Sequence, residues 1–406
     1  MRIAIAAHTA RRTGGAEQYL ATLVPALIGS GHDVACWFET EGTHQPLILD
    51  HADAVESWRA SDDMAAALAA LRAWRPDVIF THGIADIALE RALLGVAPAV
   101  LFAHSYYGTC ISGTKTVQVP GTRCCTRTFG PACLLHYYPR RCGGWSPLTM
   151  VRRYDVQRGR RELLGAYTRI VVASRHMQAE YARHGFASKT SVVGLPIQAR
   201  MPVVDQREPD AQERRLLYLG RLEVSKGVDV ALETAARAAA ALSCPVHLQI
   251  SGDGTLHQSL AGRSVELMEM YPLLRVTFTG WLDEPDVAWA LDRSDLLLVP
   301  SRWPEPFGMV GVEAALRGVP SVAFGVGGIP EWLTDGVTGR LVPEGPSSTA
   351  RFGDALVETL RDPAALARMR AEARRAAGRF QTAAHLAALE PILAAAAGVP
   401  AEAVPA

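Results

Sequence analysis

The segment SDLLLVPSRWPEPFGMVGVEAALRG, residues 294–318, shows in one place how this chain folds. Its first part is apolar at successive positions, which indicates a strand that is buried on both faces. A proline-rich loop follows, and the apolar stretch after Gly308 has the composition of a helix that Gly318 ends. A strand that leads through a short loop into a helix is the repeating unit of a parallel sheet covered by helices.

The same unit recurs along both halves of the chain. Short runs of Val, Ile, Leu and Phe are each followed by a turn of small residues and by a helical segment rich in Ala, Leu and Arg. The predicted strands are RIAIAAHTA, HDVACWFE, PDVIFTHG, PAVLFAHS and TRIVVASR in the first half, and RRLLYLGRL, VHLQISGDG, RVTFTGWL, SDLLLVPS and PSVAFGVGG in the second. The pattern predicts α/β domains, in which ligands bind beyond the carboxyl ends of the strands.

Length and composition indicate two such domains. With 406 residues the chain is about twice the usual length of a domain, and 49% hydrophobic residues suffice for two cores. We place the first domain at residues 1–200 and the second at 201–375, with a C-terminal helix in 376–406 and a linker rich in proline and charge at 195–214. The formal net charge of zero gives no general affinity for nucleic acid.

The amino terminus and the hydropathy of the chain favour a cytoplasmic enzyme. MRIAIAAHTA has a short apolar run after an arginine, but it lacks the apolar core of a leader peptide and alternates like a strand. No segment approaches the ~20 apolar residues that span a membrane. We therefore interpret this segment as the first strand of the fold.

Three stretches that follow predicted strands contain candidate binding residues. The first is Gly14-Gly15, directly before a helix, where backbone amides can approach a phosphate and the helix dipole favours an anion. Alternatively, these glycines only form a turn that needs positive φ. The spacing differs from GxGxxG, so the stretch does not favour a nicotinamide cofactor.

The second stretch is GRLEVSKG, at the end of the first strand of the second domain. Arg221 and Lys226 lie five residues apart on one loop and can converge on a diphosphate, the first through its planar fork and the second as a point charge. Alternatively, both are solvated loop cations, which is the usual state of these residues.

The third stretch is the loop and helix of the opening segment. Amides of residues 307–310 are expected to be free at the start of the helix, where they can meet an anion or a sugar hydroxyl. Glu305 precedes the helix and Glu313 lies one to two turns inside it, and a carboxylate can accept hydrogen bonds from vicinal hydroxyls of a ribose or a hexose. Alternatively, Glu305 only complements the helix dipole and Glu313 lies on a solvated face.

Together these stretches resemble the retaining glycosyltransferases of the GT-B fold, most closely glycosyltransferase family 4. The resemblance rests on the Gly-Gly loop, on GRLEVSKG, on EPFGMVGVE with its two glutamates, and on GVGGIPEWLTDGVTG at 325–339, and it covers nearly the whole chain. It implies two Rossmann-like domains that face a cleft, with the segment near 379–389 crossing back to the first domain. It also implies transfer of a sugar from a nucleotide sugar to a hydroxyl with α linkage.

The resemblance also implies a role for each candidate residue. Arg221 and Lys226 would hold the diphosphate and stabilise the departing charge, Glu305 would bind hydroxyls of the donor sugar, and Glu313 would bind the ribose. Gly15 would approach the donor from the first domain, together with Gly14. The remaining donor contacts would come from Phe307, Gly308, Met309 and Val310 at the sugar and phosphates, and from Trp281 and Leu282 at the nucleobase.

His104, in LFAHSYYG, matches the position of a family histidine that faces the reacting centre. The resemblance implies that it contacts the donor sugar and helps to place the acceptor; alternatively, it is a core or loop histidine. The implied mechanism is a front-face reaction without a carboxylate nucleophile, so the two-carboxylate scheme of glycosidases does not apply. No cofactor and no catalytic metal are implied, and the expected donor is a UDP- or GDP-sugar.

The least family-like stretch is an insertion at about 106–161, which we call the insertion. Its cysteines include Cys110, Cys124, Cys133 and Cys142, a candidate set of ligands for a structural metal, although no CxxC pair supports it. Disulfides and free thiols are the alternatives. Between residues 123 and 161 there are nine arginines and one acidic residue, Asp155, with interleaved aromatic residues.

A basic, aromatic insertion in the acceptor-binding domain suits an anionic acceptor, such as a lipid-linked phosphate, and peripheral contact with the inner face of a membrane. Alternatively, it is a solvated loop that covers the cleft. Small molecules and glycans are the other expected acceptors. The competing functions are a nucleotide-sugar epimerase or a sugar phosphorylase on the same fold, or a nucleotide-sugar-binding protein without catalysis.

Overall fold

The computed structural model describes residues 1–12, 14–42, 46–48, 55–197, 213–345 and 347–399. Most of the predicted linker at 195–214 lies outside these residues. The chain divides into two compact units. The first contains residues 1–120, 125–196 and 380–406, and the second contains residues 121–124 and 197–379.

The first unit contains a seven-stranded parallel sheet with the strand order β3-β2-β1-β4-β5-β8-β9. The strands of this sheet are β1 (Arg2–Thr9), β2 (Asp33–Thr40), β3 (Ser57–Arg59), β4 (Val78–Thr81), β5 (Ala99–Phe102), β8 (Arg169–Val172) and β9 (Thr190–Val192); between β5 and β8 lie the short strands β6 (Thr116–Val117) and β7 (Arg123–Cys124). The helices are α1 (Gly15–Gly29), α2 (Met64–Trp74), α3 (Ile87–Leu94), α4 (Ala132–His136), α5 (Pro147–Leu163), α6 (Arg175–Arg183) and α13 (Thr382–Ala397).

The second unit contains a six-stranded parallel sheet with the strand order β12-β11-β10-β13-β14-β15. Its strands are β10 (Arg214–Leu219), β11 (Val246–Ser251), β12 (Leu274–Gly280), β13 (Leu296–Val299), β14 (Ser321–Phe324) and β15 (Gly339–Val342). Its helices are α7 (Val228–Ala241), α8 (His257–Met270), α9 (Glu284–Asp292), α10 (Met309–Leu316), α11 (Ser348–Arg361) and α12 (Pro363–Ala377).

All ten predicted strands are present, and the α/β prediction is confirmed. The central strands are apolar at consecutive positions because helices cover both faces of each sheet; the four residues of β4, β5 and β13 are all buried. Six of the described helices start at a residue whose side chain accepts a hydrogen bond from a free amide of the first turn. Such caps are Asp63, Asp86, Ser146, Ser174, Asp283 and Asp362.

The last helix, α13, belongs to the first unit. His385 on this helix lies with its Nδ1 2.7 Å from the carbonyl oxygen of Gly194 and its Nε2 3.0 Å from the hydroxyl of Tyr19. A carbonyl can only accept, so Nδ1 of His385 carries the proton and Nε2 accepts from Tyr19. These contacts hold α13 against α1 and the sheet, and they place His385 beside the candidate residue His104.

The insertion is anchored to the first unit by buried charges. The Nζ atom of Lys115 forms a buried ion pair with Glu180 on α6 and donates to the carbonyl oxygen of Thr109 at 3.2 Å. The amide of Phe129 donates to Nε2 of His184 at 2.8 Å. Because these groups are buried, removal of one partner would leave an uncompensated charge or donor. Apart from residues 121–124, the insertion is therefore a packed part of the first unit.

In the described part of the chain, no helix combines the length and the apolar composition that crossing a membrane requires.

Candidate active site

In the second unit, two loops lie side by side at the carboxyl edge of the sheet. One follows β10 and contains Arg221 and Lys226, and the other follows β13 and contains Glu305. The strand order reverses between β10 and β13, which is where open α/β sheets bind ligands. The amides of Arg302 and Trp303 donate to the carbonyl oxygen of Ser225 at 2.9 and 3.0 Å, so the two loops are joined by backbone hydrogen bonds.

Lys226 and Glu305 form an ion pair at this point. The Nζ atom of Lys226 lies 2.6 Å from Oε1 of Glu305 and 4.7 Å from the ring centre of Trp303. The hydroxyl of Ser301 donates to the same Oε1 atom at 2.9 Å. Glu305 is buried, yet its Oε2 atom makes no hydrogen bond to any residue that the structure describes. One oxygen of this carboxylate is thus fixed and the other is available to a ligand hydroxyl.

Glycines with little space around them fix the backbone of both loops. Gly227 ends the Lys226 turn with φ 70, and a Cβ atom there would lie 1.9 Å from the carbonyl oxygen of Pro300. A Cβ atom at Gly327 would lie 2.2 Å from the carbonyl oxygen of Glu305, and the amide of Gly328 donates to that oxygen at 2.7 Å. Larger residues would push the loops apart.

The helix α10 starts directly after the glutamate loop. Gly308 precedes it with φ 89 and ψ 62, a left-handed conformation that glycine adopts readily. The amides of Gly308, Met309 and Val310 stand at the start of the helix and have no acceptor within it. The indole of Trp332 donates to the carbonyl oxygen of Phe307 at 2.8 Å, which fixes the approach to the helix. The arrangement can bind an anion through amides and the helix dipole.

Two further candidate groups of the second unit have no hydrogen-bond partner among the described residues. The guanidinium of Arg221 is exposed, while the Tyr218 hydroxyl donates to the backbone carbonyl of Arg221 at 2.9 Å and holds the main chain. Glu313 is half-buried on α10. Burial and the nearby charge of Glu284 raise the pKa of its carboxyl, and Arg317 lowers it by a smaller amount. Both side chains are available to a ligand.

The predicted nucleobase loop follows β12, two strands from β10 in the same sheet. Gly280 ends this strand, and its carbonyl oxygen accepts from the amide of Gly252 at 2.8 Å. Trp281 is exposed and Leu282 is half-buried. Because all the strands of the sheet are parallel, the loops after β10, β12 and β13 lie along one edge.

In the first unit, the Gly-Gly turn precedes α1 as predicted, while Thr13 lies outside the described residues. Gly14 has φ −171, which is extended backbone, and Gly15 is the first residue of the helix. A turn with positive φ therefore does not explain Gly14. Glu17 stands in the first turn of the helix, where it already complements the dipole.

His104 belongs to a cluster of aromatic side chains in the first unit. Its ring stacks on Phe102 with centroids 4.5 Å apart and lies 5.3 Å from the ring of Tyr19. Its Nε2 atom is 3.0 Å from Nδ1 of His82. Burial, followed by the proximity of His385, lowers the pKa of His104 to about 3, so its imidazole is neutral near pH 7.

The contact with His82 favours one tautomer of His104. His82 is buried, and its Nε2 atom has no hydrogen-bond partner. If His82 carried its proton on Nε2, a buried donor would be left unpaired, which costs more than an unpaired acceptor. The better arrangement has Nδ1–H of His82 donating to Nε2 of His104. His104 then carries its own proton on Nδ1, where it can donate to a ligand.

A second titratable pair lies at the carboxyl ends of β1 and β2. Nδ1 of His8 lies 2.7 Å from Oε2 of Glu39. The backbone amide of Ala85 donates to the same oxygen at 2.7 Å, and the backbone amide of Asp86 donates to Oε1 of Glu39 at 3.0 Å. The hydrogen bond to Glu39 raises the pKa of His8 against the opposing effect of burial. Burial alone would raise the pKa of Glu39, but His8 and the two amides lower it further than burial raises it.

The predicted structural metal set is not assembled. All seven cysteines are described and none forms a disulfide, and in the described residues no three Cys, His, Asp or Glu side chains could hold a metal ion. The Sγ atom of Cys124 donates to Oε2 of Glu344 at 3.7 Å. Burial, followed by the nearby thiols of Cys125, Cys110 and Cys133, raises the pKa of Cys142 to about 11. Cys125, the neighbour of Cys124, therefore lies on the side of these thiols. Adjacent residues of an extended chain point to opposite sides, which separates Cys124 from the others.

The sequence reasoning missed several residues that support the candidate site. Ser301 could have been found, because it is the polar residue at the end of a buried strand, where ligands of such sheets bind. His82 occupies the same position after β4. Trp303 and Trp332 gave no signal in the sequence, because their roles depend on which loops pack together.

Comparison with known proteins identifies the class of this fold. The chain superposes on Anabaena HepE, solved in complex with UDP and glucose, with a TM-score of 0.68 and 18% identity over 97% of this chain and 100% of that one. It superposes on WaaG, a glycosyltransferase involved in lipopolysaccharide biosynthesis, with a TM-score of 0.67 and 17% identity over 98% of this chain and 100% of the other. The fold is therefore GT-B, with two Rossmann-like domains, as predicted.

The family follows from the sequence matches. The model of Glycosyltransferase Family 4 matches residues 13–199, and that of Glycosyl transferases group 1 matches residues 213–362. The two models together cover most of the chain, so it belongs to the glycosyltransferases of family 4 and group 1, as the resemblance implied for the family. Among its relatives is the glycogen synthase of Mycobacterium tuberculosis, 29% identical over 308 residues, which are 75% of this chain and only 64% of that protein. The D-inositol 3-phosphate glycosyltransferase of Mycobacterium avium is 35% identical over 164 residues, 39% of this chain and 37% of that protein.

Proposed function

We propose that the protein transfers a sugar from a nucleotide sugar to an acceptor hydroxyl with retention, giving an α linkage. The observation that carries this proposal is the state of Glu305. Its carboxylate is buried, Lys226 and Ser301 occupy one oxygen, and the second oxygen has no partner among the described residues. This second oxygen does not belong to the buried side-chain atoms that lack a hydrogen bond, so it is accessible to a ligand, and vicinal hydroxyls of a sugar can donate to it.

The groups around Glu305 fit the charge of a nucleoside diphosphate. Lys226 and the free guanidinium of Arg221 supply positive charge, and the amides before α10 supply donors. In the proposed reaction, the bond from the anomeric carbon to the phosphate oxygen breaks, and the acceptor oxygen bonds to that carbon on the same face. The acceptor proton passes to the leaving phosphate oxygen. Arg221 and Lys226 stabilise the charge that develops there.

The other committed residues take supporting roles in this proposal. Glu313 accepts from the ribose hydroxyls, and the loop of Trp281 and Leu282 lies against the nucleobase. In the first unit, Gly14 and Gly15 offer backbone to the donor, and Nδ1–H of His104 donates to a sugar hydroxyl. No cofactor and no catalytic metal take part in the scheme. UDP and GDP are both candidate carriers; HepE, which shares the fold, was solved with UDP. The acceptor is a glycan, a small molecule or a lipid-linked hydroxyl, and the cytoplasmic location stays a prediction.

The experiment that tests this proposal uses a matched pair of arginine variants. A panel of UDP- and GDP-sugars is added to the protein, and both the thermal shift and the slow hydrolysis of the donor are measured. Arg221→Met removes an exposed, unpaired cation, so the free protein should unfold as the wild type does while the donor-induced shift falls. Arg368→Met, on α12, removes an exposed cation away from the candidate site. It should change neither the unfolding of the free protein nor the donor-induced thermal shift.

Glu305→Gln completes the test, because it retains the shape of the side chain but loses the charge that pairs with Lys226. Donor hydrolysis should fall by at least about a hundredfold, the usual effect of losing one electrostatic contact of a transition state. If no nucleotide sugar shifts the unfolding temperature, or if Glu305→Gln hydrolyses the donor like the wild type, the proposal is wrong. Conversion of the donor into an isomeric nucleotide sugar would instead assign an epimerase.

A further inference from the structure

The insertion exposes four large apolar side chains over a short part of the sequence. The exposed fraction is 78% for Leu135, 67% for Trp145, 78% for Leu148 and 48% for Val151. A single exposed apolar residue is ordinary, but a group of them on neighbouring helices marks an interaction surface. These four side chains lie on α4, on α5 and in the loop between them.

The helix α5 has two distinct faces. Met150 and Tyr154 pack against a small core formed by Ile111, Phe129 and Tyr137. Leu148 and Val151 lie on the exposed side, and the positions that follow at helical spacing on this side are Arg152 and Asp155, both exposed. Because the inward face packs against this core, the helix holds the exposed apolar residues in a fixed orientation.

The exposed apolar side chains are surrounded by positive charge. The guanidinium of Arg141 lies 4.9 Å above the ring of Trp145, whose other neighbour is the ring of Tyr138 at 6.3 Å. Arg152, Arg153 and Arg158 are exposed on α5. Arg158 forms an ion pair with Asp155 at 3.2 Å, and Arg153 lies near the hydroxyl of Tyr137, on the packed side. Arg141 and Arg152 form no ion pair with any described residue, so they supply the net positive charge beside the exposed apolar side chains. We call this set the insertion face; it comprises Leu135, Trp145, Leu148 and Val151 with Arg141, Arg152 and Arg158.

We propose that the insertion face docks on the surface of an anionic phospholipid membrane. Trp and Leu side chains partition to the level of the headgroups, while arginines that flank them reach lipid phosphates. Attraction of the arginines to an anionic surface and burial of the apolar side chains therefore both favour binding. An acidic protein would match the charge alone, whereas a membrane matches both the charge and the exposed apolar residues.

Vesicle sedimentation tests this proposal, and it does not depend on sugar transfer. The full chain is mixed with phosphatidylcholine vesicles with and without phosphatidylglycerol, at low and at physiological ionic strength. The wild type should bind the anionic vesicles at both ionic strengths, and it should bind the neutral vesicles at least tenfold more weakly. The double variant Trp145→Ser/Leu148→Ser should bind the anionic vesicles at least tenfold more weakly than the wild type. Arg141→Glu/Arg152→Glu should weaken binding to the anionic vesicles by at least tenfold as well.

The chain offers a matched control for the apolar variant. Trp289 in the second unit is also exposed, by 56%, and also lies under an arginine, Arg293, at 4.4 Å. Trp289→Ser should change vesicle binding by less than twofold. All the substituted side chains are exposed, and unfolding curves show whether each variant folds.

Three results would overturn the proposal. The first is that the wild type stays unbound to anionic vesicles at physiological ionic strength. The second is that Trp145→Ser/Leu148→Ser binds as tightly as the wild type, since the surface would then attract polyanions in general. The third is self-association of the wild type in sedimentation velocity that Leu148→Ser abolishes, which would assign the insertion face to a second copy of this chain.

Discussion

A single added methyl group at Gly311 should destabilise the second unit. Gly311 lies inside α10, where a Cβ atom would stand 2.0 Å from the nearest ring atom of Trp332 and within 2.4 Å of two others. Trp332 is buried, and its indole donates to the carbonyl oxygen of Phe307 at 2.8 Å. The ring therefore cannot make room without giving up its packing and its hydrogen bond.

The size of the effect follows from three contributions to the free energy of unfolding. Overpacking of the ring costs about 1–3 kcal/mol, and loss of a buried hydrogen bond costs about 1–3 kcal/mol. Replacing glycine by alanine inside a helix stabilises the helix by about 1 kcal/mol, which offsets part of this cost. Gly311→Ala should therefore destabilise by about 3 kcal/mol, and a unit of this size should unfold at a temperature about 6–12 °C lower.

The assay is urea and thermal unfolding of Gly311→Ala beside Gly262→Ala. Gly262 lies in α8, and nothing stands within 4 Å of the position of its Cβ atom. This control should gain about 0.5–1 kcal/mol from helix propensity alone. In the background Trp332→Phe, which shortens the ring, the Gly311→Ala substitution should cost less than it does alone. A Gly311→Ala protein as stable as the Gly262→Ala control would refute the packing described for Trp332.

Two further predictions concern the histidines of the first unit. The pair of His8 and Glu39 should stabilise the fold most between about pH 4.5 and 6.5, the ordinary pKa values of the two groups. The pKa of His8 is raised in the folded protein, so His8 stops stabilising the fold as the pH rises through that pKa. The pKa of Glu39 is lowered, so Glu39 stops stabilising the fold as the pH falls through that pKa. Since His8 is exposed, His8→Asn should cost only about 0.5 kcal/mol at pH 5.5 and less at pH 8.5 in urea unfolding, and an equal cost at both pH values would contradict the shifts. His82→Phe should move the proton of His104 from Nδ1 to Nε2, which nitrogen-resolved NMR of labelled histidine detects; an unchanged tautomer would show that His82 does not set it.

The order of elements and the candidate residues could be predicted without the structure. The ten strands were visible because strands covered on both faces are apolar at every position, and Gly308 and Gly318 delimited α10 correctly. The edge strands β3, β9 and β15 were missed. They are three or four residues long and only partly buried, so their sequences carry little signal.

The cysteines show where residue type and spacing mislead. Cys124, Cys133 and Cys142 are evenly spaced in the sequence, which suggested a common ligand set. In the structure Cys124 contacts Glu344, a residue far away along the chain, and its neighbour Cys125 approaches the other thiols. Which side of an extended segment faces a given partner depends on packing at a distance, and no local pattern contains that information.

The sequence by itself determined the order of strands, loops and helices, and it predicted which residues near the ends of strands bind a nucleotide sugar. Local propensity and hydrophobic periodicity suffice for that, because they act within a few residues of the chain. Only the tertiary structure decided that the Lys226 loop and the Glu305 loop meet where the strand order reverses, that Ser301 and Lys226 share one carboxylate oxygen, and that the other oxygen is free. These contacts join residues up to 79 positions apart, and they form only when the whole sheet has assembled, since the strand order sets which loops become neighbours.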